Sequence, residues 1–167
     1  MNKDWFGKEI ERIEIYNASL KDAVFTFTDE CFRSVGKVFE PDGRHAFYND
    51  IEKDFDRFWC LVSGDQVLGT VAVKSLDETT SELKALYLAP ELRGKGYGYK
   101  MLDLAVLFAR EKGYKRIVLD SMSKYTAALK LYEKYGFTHI GRYNDNQKAD
   151  VFMEYRFTGR GEENGIK

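Results

Sequence analysis

The chain of 167 residues is poor in the residues that build staples and metal sites. It holds two cysteines, Cys31 and Cys60, two histidines, His45 and His139, and two prolines, Pro41 and Pro90. Two cysteines make no disulfide framework, and neither stands at a metal-ligand spacing from another ligand type. No metal is therefore expected. No run approaches the ~18 apolar residues of a membrane span, and the first residues, MNKDWFGKEI, lack the apolar centre of a secretion signal. A basic excess is also missing. The formal net charge is −1, which excludes a general nucleic-acid binder, because such proteins displace counterions with clustered Lys and Arg. These absences point to a soluble protein of a reducing, cytoplasmic compartment, with no membrane and no nucleic acid among its partners. Cys60, inside FWCLV, is expected as a small buried hydrophobe.

Ordinary globular material is present instead. Apolar residues make up 44% and charged residues 32%, and a chain of this length suits one domain with a real core. We expect that domain over residues 1–158, followed by a polar tail at 159–167. EIERIEIY (9–16) alternates and predicts a strand. Residues 19–36 predict a helix with Ser19 as N-cap and Gly36 past its end. FEPDGRH (39–45) is a loop, and 46–55 a short helix. FWCLVSGDQVLGTVAVKSL (58–76) reads as a hairpin turning at Gly64-Asp65. TSELKALYL (80–88) is a strand closed by Pro90. Residues 97–112 are a helix with Leu102, Ala105, Val106 and Ala109 on its inner stripe and Gly113 at C′. A buried strand (115–122), a helix with Ser123 as N-cap (123–136) and two antiparallel strands (137–143, 149–157) complete the order. Hairpins mixed with βα units predict a single mixed sheet with helices on its faces.

One stretch demands a chemical reason. ELRGKGYGYK (91–100) sets Gly94, Gly96 and Gly98 at every second position, between a strand and a helix, with Arg93, Lys95 and Lys100 around them. Glycine is a poor helix former, yet a helix N-terminus exposes unpaired N–H groups and about half a positive charge. Glycines there let an anion reach the backbone, so the layout is that of a phosphate site. The spacing is neither G-x-x-x-x-G-K-[ST] nor G-x-G-x-x-G, which argues against an ATP loop or a dinucleotide fingerprint.

LYLAPELRGKGYG (86–98) closely resembles the acetyl-CoA motif of the GCN5-related N-acetyltransferases (GNAT). AALKLYEKYGF (127–137) is similar to that family's late helix and strand, and LDS (119–121) to a common strand end. The resemblance covers roughly residues 58–157. It implies the acyl-CoA N-acyltransferase fold, an α/β arrangement with a mostly antiparallel mixed sheet flanked by helices, and acetyl-CoA as cosubstrate. It implies that amides of Arg93, Gly94, Lys95, Gly96, Tyr97, Gly98 and Tyr99 hold the pyrophosphate. The main chain of Leu86, Tyr87 and Leu88 would pair with the pantetheine arm. Tyr125 and Ala128 are placed with the cofactor; Tyr125, standing where many members carry asparagine, would pack on the pantetheine arm or alter the amine pocket.

Acetyl transfer to an amine needs a proton acceptor, donors for the oxyanion and a proton for the leaving thiolate. By resemblance Tyr132 is the acid that faces the CoA sulfur; its bland alternative is a tyrosine packed on the helix's inner stripe. Glu82 is the candidate base, directly or through a water; its alternative is a solvated or ion-paired strand glutamate. His45 and His139 are weaker candidates for acceptor contacts. Phe39, Phe47, Tyr48 and Phe55 read as core before substrate slot. No cysteine lies near the motifs to support an acetyl-enzyme, so transfer is expected to be direct, within a ternary complex. The expected acceptor is a primary amine of a small molecule or amino acid, with a peptide or protein amine second. A CoA-sensing or partner-binding module without turnover is the rival from another class, and a homodimer stays open.

Overall fold

A computed structural model describes residues 11–158. The strands among them form one seven-stranded sheet in the order β1-β2-β3-β4-β5-β7-β6. They are β1 (Arg12–Ile15), β2 (Arg57–Ser63), β3 (Gln66–Ser75), β4 (Thr80–Leu88), β5 (Arg116–Ser121), β6 (Thr138–His139) and β7 (Val151–Arg156). β4 and β5 run parallel, while β1–β2, β2–β3, β5–β7 and β6–β7 pair antiparallel. Four helices accompany them: α1 (Lys21–Ser34), α2 (Ile51–Asp54), α3 (Tyr97–Lys112) and α4 (Thr126–Tyr135). The mixed, mostly antiparallel sheet with helices is the expected architecture. The described residues fall into two compact units, residues 11–74 with 84–102, and residues 75–83 with 103–158.

In the first unit, β2 is buried from Phe58 to the end of the strand. A strand covered on both faces loses the alternation of a half-exposed one and reads as a continuous apolar run. α1 buries Val24, Phe27, Thr28 and Phe32, one stripe at helical spacing. Cys60 is fully buried, as expected, and the core continues through Tyr48, Ile51, Phe55 and Phe58. Tyr48 and Phe55 are therefore core, with Phe39 and Phe47 packed against it. His45 belongs to the same aromatic group, its ring against Phe32 and Phe39, and its Nδ1 accepts the Glu40 amide at 2.9 Å.

The α1 termini show a correction. Asn17, not Ser19, caps the start: its side chain accepts the Ser19 amide over a single 3-10 turn (Ala18–Leu20). The other end is as expected. Gly36 has φ +74°, and the Gly36 and Lys37 amides return to the Arg33 and Phe32 carbonyls, closing the last turn. The hairpin register shifts between Leu61 and Val62, and the bulged residue Leu68 gives its carbonyl to the Ala89 amide at 2.8 Å.

In the second unit, Ile117, Val118, Leu119, Phe152 and Met153 are buried along the β5–β7 pair, with Tyr132 and Phe137 nearby in sequence on α4 and its exit. α4 starts at Thr126 rather than 123, and Ser123 is not its cap. Asp150 takes both the Ser123 amide (2.7 Å) and hydroxyl (2.6 Å), so this serine ties down a loop instead. β6 is only Thr138–His139, shorter than the alternation of 137–143 suggested; the Ile140 amide still bonds the Phe152 carbonyl at 2.9 Å, and beyond it the Arg142 guanidinium bonds carbonyls of its own connection. The tail at 159–167 and the first residues of the predicted 9–16 strand lie outside the described residues.

Candidate active site

The glycine turn is a feature of the first unit. β4 ends at Leu88, a 3-10 turn (Pro90–Leu92) buries Leu92, and Arg93 returns to extended backbone before the glycines. Gly94 and Gly96 have φ of +77° and +88°, which side-chain-bearing residues rarely adopt. A Cβ built on either meets nothing within 4 Å, so no protein packing demands the glycines there. What remains is a left-handed backbone opening onto space at the start of α3. The Lys100 amide bonds the Gly96 carbonyl at 3.1 Å, which makes Gly96 the capping position. Helix geometry then gives the amides of Tyr97 and Gly98 no acceptor within the helix. Arg93, Lys95 and Lys100 are exposed around the turn. A backbone of this shape, with amides and cations but no Cβ in the way, fits an anion such as a pyrophosphate. Gly98 differs from its neighbours: it lies inside α3, not at a positive φ.

Residues 86–88 precede the turn, and the side chains of Tyr87 and Leu88 have contacts within the unit. Tyr87 meets Phe32 edge-on at 5.6 Å, and the Leu88 Cδ1 atom closes on Gly69. Both residues are half-buried, and the strand's main chain runs past them toward the turn. Ala85, just before them, has φ +54° and is the sole non-glycine residue with positive φ among the described residues. Its carbonyl accepts the buried Thr70 hydroxyl at 2.6 Å. Strained backbone beside functional groups is a recurrent feature of active sites, and nothing in the local sequence announces this one. Cys31 is distant from the motifs in sequence, and burial outweighs the Arg93 charge that acts on it. Burial pushes its thiol up to about 11, so it stays protonated and poorly nucleophilic near neutrality.

Glu82 and Tyr132 belong to the second unit. Glu82 is only 5% exposed, and its carboxylate accepts the Tyr143 hydroxyl at 2.5 Å. Its register with Val118, and that of Val118 with Glu154, puts Glu82, Val118, Asp120 and Glu154 on one sheet face. The solvated-glutamate alternative is thus overturned by burial. Burial, then the Glu82 charge and hydrogen bond, then Asp120 hold the Tyr143 phenol far above the ordinary tyrosine range. Asp120 accepts the Asn144 and Asn146 side-chain amides at 2.7 and 3.3 Å. Tyr132 is 7% exposed, and burial followed by the Asp120 charge raises it to about 12. Asp120 thus acts electrostatically on both tyrosines. Tyr125 and Ala128 are half-buried on the same side of α4 as Tyr132, as their spacing requires. His139 stands at the surface, 3.3 Å from Glu133. Tyr143 and Ala85 escaped sequence reading, and Asp120 entered it only as part of the LDS strand end, with no role of its own. For Tyr143 the available signal was an unusual density of Asn and Asp around one tyrosine in RYNDNQ. Among the described residues no three His, Cys, Asp or Glu side chains gather to hold a metal ion, and no helix is long and apolar enough to cross a membrane.

A mixed sheet and a glycine turn that opens a helix and has room for an anion are the features expected of an acyl-CoA-binding fold. The chain belongs to the acetyltransferase (GNAT) family, whose sequence profile matches residues 20–137. It is 28% identical over 135 residues to the uncharacterized N-acetyltransferase YsnE of Bacillus subtilis (strain 168), covering 78% of this chain and 89% of that one. It spans about half the length of several other curated N-acetyltransferases that it matches. Among solved structures, an acetyltransferase from Streptococcus agalactiae superposes with a TM-score of 0.78 at 23% identity, over 88% of this chain and 98% of that one. The yncA protein of Salmonella typhimurium, solved with its cofactor acetyl-CoA, superposes with a TM-score of 0.69 at 18% identity, over 90% and 96%.

Proposed function

We propose that this protein transfers the acetyl group of acetyl-CoA directly to a primary amine of a small molecule or amino acid. The observation that carries the reading is the turn at Gly94 and Gly96: two left-handed glycines with open space at their Cβ positions, at the head of α3, in a chain of this family. The amides from Arg93 to Tyr99 and the charges of Arg93 and Lys95 take the pyrophosphate. The main chain of 86–88 takes the amide-bearing arm, and Tyr125 and Ala128, both half-buried, are assigned to the same cofactor by the family resemblance. The two free cysteines suit a reducing compartment, so we place the protein in the cytoplasm, with residues 1–158 as one catalytic domain.

In the reaction, an ammonium gives one proton to Glu82, directly or through a water, and the freed lone pair attacks the thioester carbon. The N–C bond forms, the C–S bond breaks, and the thiolate and the remaining nitrogen proton are balanced through Tyr132. The magnitudes define Tyr132's part. A phenol at about 12 handing a proton to a thiolate near ~8.5 works uphill by roughly 5 kcal/mol. Tyr132 therefore serves first as a hydrogen-bond donor to the developing thiolate, and passes its proton on only as the product nitrogen returns one. Its raised pKa guarantees that the donor is present throughout the neutral range.

Thermal melting with acetyl-CoA, CoA, ATP and NAD in parallel tests the cofactor assignment. At a hundredfold over Kd a ligand adds about 2.7 kcal/mol, or roughly 5–11 °C in a domain of this size. The expected result is a shift with acetyl-CoA and CoA and little with the nucleotides. Equal shifts for ATP or NAD, or none with acetyl-CoA, would reject it.

A further inference from the structure

The connection between β6 and β7 has no regular structure, yet its bonds are organised around one side chain. The Arg142 guanidinium donates to the Asn146 and Ala149 carbonyls at 2.8 and 2.9 Å and lies over the Phe152 ring at 4.7 Å. The Asn144 side-chain oxygen accepts the Asn146 amide, and the Asn146 oxygen accepts the Lys148 amide. Asp120 anchors both asparagines from β5, and Asp150 closes the loop onto Ser123. Tyr143 sits within this frame. Its ring stands edge-on to Phe152 at 5.5 Å, and its hydroxyl reaches Glu82, 61 residues earlier in the chain.

We propose that Tyr143 is a positioning residue for Glu82, and that the Asp120–Asn144–Asn146 bonds exist to hold Tyr143 against that carboxylate. The proposal rests on the reading of Glu82 as the base. A glutamate has three side-chain torsions, and a base must lie within hydrogen-bond reach of the proton it takes. One fixed donor on a buried carboxylate removes that freedom before the acceptor arrives. The donor does not titrate away, because burial and the Glu82 charge keep the phenol protonated well past the ordinary tyrosine range. Tyr143 acts through Glu82 and exchanges no proton with the substrate.

The test is a four-enzyme cycle: wild type, Tyr143→Phe, Glu82→Gln and the double variant. Steady-state kinetics use acetyl-CoA and the fastest acceptor from a panel of free amino acids, alkylamines and short peptides. Tyr143→Phe is expected to lower kcat by about tenfold to a hundredfold and to leave the KM for acetyl-CoA within about twofold. In the Glu82→Gln background the same change is expected to add less than about twofold, since the group it positions is gone. Equal losses in both backgrounds overturn the proposal, as does an unaffected kcat in Tyr143→Phe beside an impaired Glu82→Gln. An unimpaired Glu82→Gln rejects the base assignment itself, which separates the two failures. A readout independent of turnover accompanies the cycle. Proton NMR of the wild type is expected to show a downfield, slowly exchanging hydroxyl resonance. It should be lost in Tyr143→Phe and displaced in Glu82→Gln; its absence from the wild type contradicts the bond on which the proposal stands.

Discussion

Gly96→Ala separates the cost of a strained backbone from the cost of losing a ligand. At φ +88° an alanine meets its own carbonyl, which costs about 1–2 kcal/mol. Its Cβ meets nothing within 4 Å, so no packing penalty is added. At roughly 2–4 °C per kcal/mol the ligand-free protein is expected to melt about 2–8 °C lower. Two further glycines supply matched controls. Gly36 has φ +74° and Gly113 φ +99°, and neither has an atom within 4 Å of an added Cβ. Each follows the end of a helix, α1 and α3 respectively, rather than leading into the start of one. Alanine at all three positions is expected to cost similar stability without ligand. Only Gly96→Ala, with Gly94→Ala beside it, is expected to lose most of the acetyl-CoA shift, because the new methyl group occupies the space an anion must enter. The assay is differential scanning fluorimetry of the five proteins over an acetyl-CoA titration. A full acetyl-CoA shift in Gly96→Ala, or an equal loss of shift in Gly36→Ala and Gly113→Ala, would refute the assignment of the turn.

Four other outcomes follow from the same chemistry. Tyr132 is raised in the fold to about 12 against ~10 in an unfolded chain, so its contribution is whole below pH ~10 and disappears as pH rises toward 12. Tyr132→Phe should remove roughly 2–3 kcal/mol of that alkaline destabilisation, read as a flatter stability curve between those pH values; an unchanged curve contradicts the burial of the phenol. Thr70→Val leaves the Ala85 carbonyl without the 2.6 Å hydroxyl and is expected to cost about 1–2 kcal/mol. Ala85→Gly, which relieves φ +54°, should be neutral or stabilising in denaturant unfolding, and a loss above about 1 kcal/mol would show that the methyl group matters more than the backbone. Cys31→Ser is expected to keep kcat within about twofold, since its thiol is held near 11; an inactive variant carrying no acetyl group would point to an acetyl-cysteine route.

Legibility of the sequence followed the range of the interactions. α3 and β4 lie within the residues that periodicity and Pro90 marked, and the hairpin turns at Gly64-Asp65, because each is coded by neighbours in the chain. The glycine turn was legible for the same reason. Caps were less so. Ser19 and Ser123 both have the right chemistry, but Asn17 reaches the first site sooner and Asp150, 27 residues away, claims the second serine. Tyr143 was invisible as a site residue: any loop tyrosine looks alike until β4 and β5 pair and Asp120 holds the asparagines beside it. Ala85 was invisible because alanine itself prefers negative φ, and the Thr70 hydroxyl that meets its carbonyl lies 15 residues earlier in the chain. Burial of Glu82 was half legible, since an acidic residue inside TSELKALYL contradicts the apolar strand unless it has a partner.

Acetyl transfer itself is the most direct measurement. The purified protein is incubated with acetyl-CoA labelled in the acetyl carbons and with a panel of free amino acids, alkylamines and short peptides, and the products are resolved by mass spectrometry alongside thiol release. The account predicts label in the amide of one acceptor class, thiol released in equal amount, and loss of both in Gly96→Ala and Glu82→Gln. Binding of acetyl-CoA with no labelled amide from any acceptor, and thiol release no faster than without protein, would contradict it and favour a CoA-sensing module.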